Sequence, residues 1–289
     1  MNETAETTTP DLTYTFQVVK TDDTWRGFGL QEQFLAHNGE KVPYKAIVRH
    51  KQLLSIVSSR YKLLPNEVVI ETSDEVARLV NAERFDRLAT AVGASGSSGI
   101  FFSGKKDTQA HAFYARQQDI DLGDGDIIRV GFAVHNSIDA SLGLSMSVFT
   151  WRYTCSNLAV INIGDVLSHS YQRHTSGLTI NKERLKQTML KALEASALII
   201  KEYQRLKEEQ LTIEQAKKLV AALPKKYLPD YIKVGDNDKV ELLATPQLWE
   251  TYNDLTGAIW HNDKTEFESK RFLYDKLHQA IGIQVGRRQ

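Results

Sequence analysis

Across positions 141–148, and again with the phase reversed across 149–154, hydrophobic residues alternate one for one with small or polar ones. Leu142, Leu144, Met146 and Val148 stand against Ser141, Gly143, Ser145 and Ser147, and then Phe149, Trp151 and Tyr153 against Thr150, Arg152 and Thr154. A period of two belongs to a strand, in which successive side chains leave opposite faces. The pattern predicts a strand with three rings on one face and the Arg152 guanidinium on the other. Exposed, those rings form a stacking platform; covered, they fill a core, the commoner fate of large rings in a sheet. Two more extended runs precede it, at 110–118 and 127–135, the second entered through the turn formers Asp121, Gly123, Asp124 and Gly125. The three predict an antiparallel meander. Upstream, 100–102 and 110–116 flank Ser103-Gly104-Lys105-Lys106-Asp107, a hairpin with a basic tip.

Beyond residue 180 the period changes. Leu185, Met189, Ala192, Ser196, Ile199, Tyr203 and Leu206 recur in steps of four and three, the seam of a helix over 181–210. Thr212 with Gln215 makes a capping box for a helix that ends at Pro224. Thr245-Pro246 opens a helix with Leu248, Trp249, Tyr252, Leu255 and Ile259 on one side, and Thr265 with Glu268 opens a last one carrying Phe267, Leu273, Leu277 and Ile281. Nearer the start, a short strand is expected at 12–19. The stretch 61–71 reads as a turn at Pro65 and a β-branched strand, and Thr72 with Glu75 as the capping box of a helix running toward Gly93.

The fold class is α+β: an antiparallel sheet, the three-strand meander plus N-terminal strands, packed by a long helix and followed by a helical C-terminal half. Residues 1–11 are expected to be a disordered tail, 12–180 a mixed α/β core, and 181–289 a helical region packed on the core or used in oligomerisation.

Charge changes the picture locally rather than globally. Lysine plus arginine and aspartate plus glutamate each number 36, so no overall field draws the chain to nucleic acid or acidic lipid. Between 41 and 62, however, Lys41, Lys45, Arg49, Lys51, Arg60 and Lys62 stand with no carboxylate among them, beside Tyr44, His50 and Tyr61. Such a stripe suits a phosphate backbone. The alternative is a helix with solvated heads, its apolar side formed by Leu53, Leu54, Ile56 and Val57, paired with the acidic segment before it.

A single cysteine, Cys155, rules out an internal disulfide framework and a multi-thiolate zinc site. The composition suits a reducing cytosol, and neither an export signal nor a membrane-length apolar run is visible, so a cytoplasmic protein with no membrane association is expected. The glycines of 93–99 follow a helix and precede a strand, the reverse of a nucleotide-binding loop. His169 and His174 are spaced five apart with no carboxylate to complete a metal set, and the aspartates of 119–126 lack calcium-loop spacing. No metal and no cofactor are expected. Cys155 reads as an inert buried thiol, or as a nucleophile with His169 or His174 as its base.

Several phrases together resemble the phage/plasmid-like family known as domain of unknown function 932. They are His135-Asn136-Ser137-Ile138-Asp139-Ala140-Ser141, Phe149 through Arg152 into Thr154-Cys155-Ser156-Asn157-Leu158, Arg173-His174-Thr175, and Leu248-Trp249-Glu250-Thr251-Tyr252-Asn253-Asp254-Leu255-Thr256. This chain carries Ile138 and Ala140 where the family usually has histidine and glycine. The resemblance implies a mobile-element setting and brings no activity with it. By analogy, strand meander followed by long helix is also the core order of ring-forming single-strand annealing proteins.

The expectation is a non-enzymatic, homo-oligomeric protein that binds single-stranded nucleic acid. Phosphates would be met by Lys45, Arg49, Lys51, Arg60, Lys62, Lys105, Lys106, Arg152 and Arg173, with His174 beside them, while Trp151, Tyr153 or Tyr171 stack on bases. The rivals are an enzyme using Cys155 with His174, or Asp139 with His135, and a protein that engages a host factor through its C-terminal helices.

Overall fold

The computed structural model describes residues 17–25, 29–86, 99–161 and 172–283. The readings placed on 1–11, 12–16, the 93–98 glycines, His169 and Tyr171 lie outside those residues. The first four strands, β1 (Gln17–Trp25), β2 (Leu30–His37), β3 (Glu40–Arg49) and β4 (Gln52–Ser58), form an antiparallel sheet in sequence order, which leaves β4 at an edge. A larger sheet follows, made of β5 (Glu83–Arg84), β6 (Ile100–Ser103), β7 (Gln109–Ala115), β8 (Ile120–Asp121), β9 (Ile127–Ser137), β10 (Ser145–Arg152) and β11 (Asn157–Ile161). Its main path runs β11-β10-β9-β7-β5, with β6 also on β7 and β8 on β9. A small ribbon, β12 (Ile232–Val234) with β13 (Val240–Leu242), stands apart. The helices are α1 (Asn66–Leu79), α2 (Lys182–Glu208), α3 (Ile213–Ala222), α4 (Leu248–Trp260) and α5 (Phe267–Ile281). The architecture is α+β.

The meander forms as the alternation predicts, with β9 pairing both β7 and β10 antiparallel. Register sorts its residues by face. Tyr114, Phe132, Val134, Met146, Val148 and Thr150 look toward α1 and α2, while His111, Phe113, Ala133, His135, Phe149 and Trp151 look the other way, toward Phe85, Phe101 and Phe267. Both faces are buried, so strand alternation names a residue's side without saying whether that side is wet. Gly131 shows how tightly the second face is filled: a Cβ there would lie 2.2 Å from the Tyr114 carbonyl oxygen and 2.7 Å from Phe149 Cε1. Helix α2 buries Met189, Ala192, Ile199, Tyr203 and Leu206 of the expected seam, with Asn181 capping its start. The capping box of Thr212 and Gln215 is formed. Helices α4 and α5 pack against β11, where the Tyr274 hydroxyl donates to the Leu158 carbonyl at 2.5 Å.

Four local expectations are corrected. Residues 66–71 are helical, not a strand: α1 begins directly after Pro65 and buries Asn66, Val69, Ile70, Ser73, Val76 and Ala77 at helical spacing, so packing on the sheet overrides β-branched propensity. Thr72 consequently lies mid-helix and caps nothing. The segment 41–62 is a hairpin, not a helix. It turns at His50 and Lys51, both at positive φ (47° and 68°), as a two-residue hairpin turn requires. Finally, α4 and α5 start at Leu248 and Phe267, past their expected caps. The Thr265 hydroxyl instead meets the Tyr227 hydroxyl at 2.7 Å, and Glu268 pairs with Arg271.

Candidate nucleic-acid interface

The two sheets meet through Ile138, which packs with Leu30, Ile47, Val57, Tyr61 and Leu63. Beside this junction lies a cleft of about 860 Å³. One wall is the end of β4, Ile56 to Ser58; the other is the turn between β9 and β10, with Ala140, Leu142 and Gly143; Tyr61 and His174 line its base, and Arg60 and Arg173 stand on it. Arg173 is placed by a two-way backbone bridge between Gln172 and Leu144, 3.0 and 2.8 Å. His174 is placed by Lys62: the Lys62 amide donates to the His174 carbonyl at 3.1 Å, and His174 Nδ1 lies 3.2 Å from the Lys62 carbonyl. The two rings at the base stack 5.1 Å apart and nearly parallel. Burial pushes the His174 imidazole below its ordinary range, so it is neutral at pH 7, with Nδ1 carrying the proton that the Lys62 carbonyl accepts. The buried Tyr61 phenol stays protonated and donates to the Ser137 carbonyl at 3.1 Å.

The turn that forms the second wall is anchored by a buried chain of polar groups whose proton directions can be derived. The single Ser103 hydroxyl proton goes to Gln109 Oε1 at 2.7 Å, so Ser103 accepts from His111 Nε2, also 2.7 Å away. His111 Nδ1 is then a bare acceptor and takes the proton of His135 Nδ1 across 2.8 Å; His135 Nε2 in turn accepts from Ser147 at 2.6 Å. At the other end Gln109 Nε2 donates to Ser141 at 2.9 Å, and Ser141 to Asp139 Oδ1 at 2.5 Å. Every link is satisfied with both imidazoles neutral, the state that burial and the nearby Arg271 charge enforce. Although burial opposes its charge, Asp139 is held below the ordinary carboxyl range by donors from Ser141 and Thr108.

The structure divides the expected binding residues. Arg60, Arg173 and His174 converge on the cleft, and exposed Lys62 adjoins them. At the opposite end of β4, Lys51 sits in the hairpin turn, and Lys106 on the next hairpin reaches that end, its Nζ donating to the Leu53 carbonyl, with exposed Lys105 next to it in the chain. Arg49 is half-buried at that same end, on the face that carries Ile47.

Three residues drop out. Lys45 is 4% exposed and ion-paired with Glu32 at 2.5 Å. Trp151 is 3% exposed and wedged against Phe85, because a second layer covers the ring face of β10. Arg152 is committed to Asp126 at 2.6 Å, which also accepts from Trp249 Nε1 at 2.6 Å, and its guanidinium lies over the Trp249 ring. Tyr153 is half-buried beneath Arg129.

The catalytic pairings are also separated. Cys155 follows the C-terminal end of β10, beside Arg152 and His261, whereas His174 lies by the opposite end, past the Leu144 bridge. The length of β10 puts roughly 25 Å between them. His135 is sealed in the core with both ring nitrogens used, so it cannot serve Asp139 as a base toward a ligand. Among the described residues no cluster of histidine, cysteine and carboxylate side chains could hold a metal ion, and no helix is long and apolar enough to cross a membrane.

Sequence reasoning missed Tyr61 as the base of the cleft and the whole chain from Ser147 to Asp139. The available signal for the latter was polar residues (His111, His135, Ser147) at interior positions of strands expected to be buried.

No curated protein and no solved structure matches this chain. The family described as Domain of unknown function (DUF932) matches residues 53–277, from β4 almost to the end of α5, and the chain belongs to that family.

Proposed function

We propose that the protein binds single-stranded nucleic acid without acting on it chemically, in the setting of a phage, plasmid or related mobile element, with the strand lying along the edge of β4. The observation that carries this reading is the placement of six cations at the two ends of one edge strand. Arg60, Lys62 and Arg173 stand at one end and Lys51, Lys105 and Lys106 at the other, none of them in an ion pair among the described residues. Asp107, exposed at the hairpin tip, offsets one of them. Seven residues of strand span roughly 23 Å, enough for several nucleotides. The test is fluorescence anisotropy of a labelled oligo(dT) at 50 mM salt. Arg60→Gln with Arg173→Gln should weaken binding about tenfold or more, and a wild-type protein that leaves the oligonucleotide free at low salt removes the reading.

The cleft volume also suits a small anionic ligand, within the range of small-molecule sites. Such a ligand would be lost on changing Arg60 and Arg173 and indifferent to changing Lys105 and Lys106, which separates it from a strand spanning β4.

A further inference from the structure

Among the described residues ten large hydrophobic side chains are well exposed, and three of them, Tyr44, Leu53 and Ile56, share one patch. Their exposures are 51%, 46% and 54%. Register explains the grouping: Tyr44 pairs with Ser58, Ala46 with Ile56 and Val48 with Leu53, so all three lie on the face of the four-stranded sheet opposite Ile47 and Val57, with Ile56 at the edge where it also borders the cleft. Tyr44 and Ile56 are diagonal neighbours at roughly 7 Å. Leu53 continues the row along β4. The cations of the proposed strand path lie at its two ends.

We infer that the bases of a bound strand turn inward onto this row, with Tyr44 stacking on one base and Ile56 and Leu53 covering its neighbours. The inference rests on the nucleic-acid reading above. Charge selects the occupant. A second copy laid face to face would bring like-charged rims together, whereas a polyanion is attracted to the rim and presents apolar base faces to the row. The spacing on one sheet face is close to the length of one sugar–phosphate unit in an extended strand, so successive side chains can meet successive bases. A strand held this way has its bases covered. The protein would shield single strands rather than present them for annealing.

The experiment uses the full chain and oligo(dT) at fixed salt. Tyr44→Ala should lower affinity about 10- to 100-fold and Tyr44→Phe should leave it near wild type, the range expected for losing one base–ring stack. Because stacking releases no counterions, Tyr44→Ala should leave the salt dependence unchanged, whereas Arg60→Gln with Arg173→Gln should flatten it. Permanganate, which attacks unstacked thymines, should find the bound thymines protected in wild type and open again in Tyr44→Ala. If the bound thymines react like free ones, or Tyr44→Ala binds like wild type, base-inward binding is wrong while the cation reading stands. If no oligonucleotide binds at low salt, both are wrong. Sedimentation showing self-association that Tyr44→Ala abolishes would assign the row to a second copy and overturn the inference.

Discussion

The two sheets of this protein are built from similar strands and are used oppositely. The larger one is covered on both faces, and the polar run from Ser147 through His135 and His111 to Asp139 is spent internally, with every imidazole nitrogen already engaged. The smaller one is covered on the junction side by Ile138 and its neighbours and carries exposed Tyr44, Leu53 and Ile56 on the outside, with cations that make no ion pair among the described residues at both ends of its edge strand. Residue type alone does not separate ring from ring or lysine from lysine. Trp151 and Tyr44, or Lys45 and Lys51, differ in whether another layer lies over them. That difference puts the candidate ligand surface on the small sheet.

The comparison breaks most visibly at Trp151. Trp151→Ala should cost about 3–5 kcal/mol of stability, measured by urea unfolding, because it empties a filled site beside Phe85. A stable variant with impaired oligonucleotide binding would move the ligand surface back to the large sheet.

Acid should strain the large-sheet region in a comparable amount. Burial holds His111 and His135 well below the ordinary histidine range and pushes His278, under α4, down to about 3. Their folded affinities for protons are lower than their unfolded ones, so the unfolded chain takes up protons first as pH falls through about 6.5. The stabilisation is complete above that pH and is lost below it, by on the order of 1 kcal/mol per histidine between pH 7.5 and 5.5, and a few kcal/mol for the three. Denaturation midpoints at the two pH values check this; equal midpoints would mean that the imidazoles are not sealed.

A smaller effect of opposite sign is expected at the cleft wall. Ala140 holds a left-handed backbone (φ 65°), which an L side chain disfavours and glycine adopts freely. Ala140→Gly should raise stability by about 1 kcal/mol, read as a higher melting temperature. Tyr44→Ala should change stability least, by about 0.5 kcal/mol or less, since surface substitutions rarely do more. Its unfolding curve should overlay that of wild type, and a large loss would mean that Tyr44 is packed rather than presented.

Much of the large sheet and of α2 was legible because period-two alternation and a four-three seam report local geometry directly. The hairpin of 41–62 was not. Lys45, Ala46, Ile47 and Val48 are all buried, which erases alternation, and the turn falls on His50-Lys51 rather than on the glycine or asparagine that usually marks one. Helix α1 was hidden by Val68, Val69 and Ile70, whose strand propensity is outweighed by packing. The bias of the cation run was visible. Its convergence was not, because Arg60 and Arg173 come together only through the Leu144 bridge and the Lys62–His174 pairing, contacts between distant parts of the chain. The burial of Trp151 depends on which helices and loops cover β10, and no spacing within the strand records that.

The salt dependence of oligo(dT) binding tests the central claim most directly. With six cations at the ends of β4 meeting phosphates, the logarithm of the binding constant should fall against the logarithm of salt concentration with a slope of about −4, at about −0.7 per contact for a single strand. A slope near zero, or no binding at 50 mM salt, would contradict it.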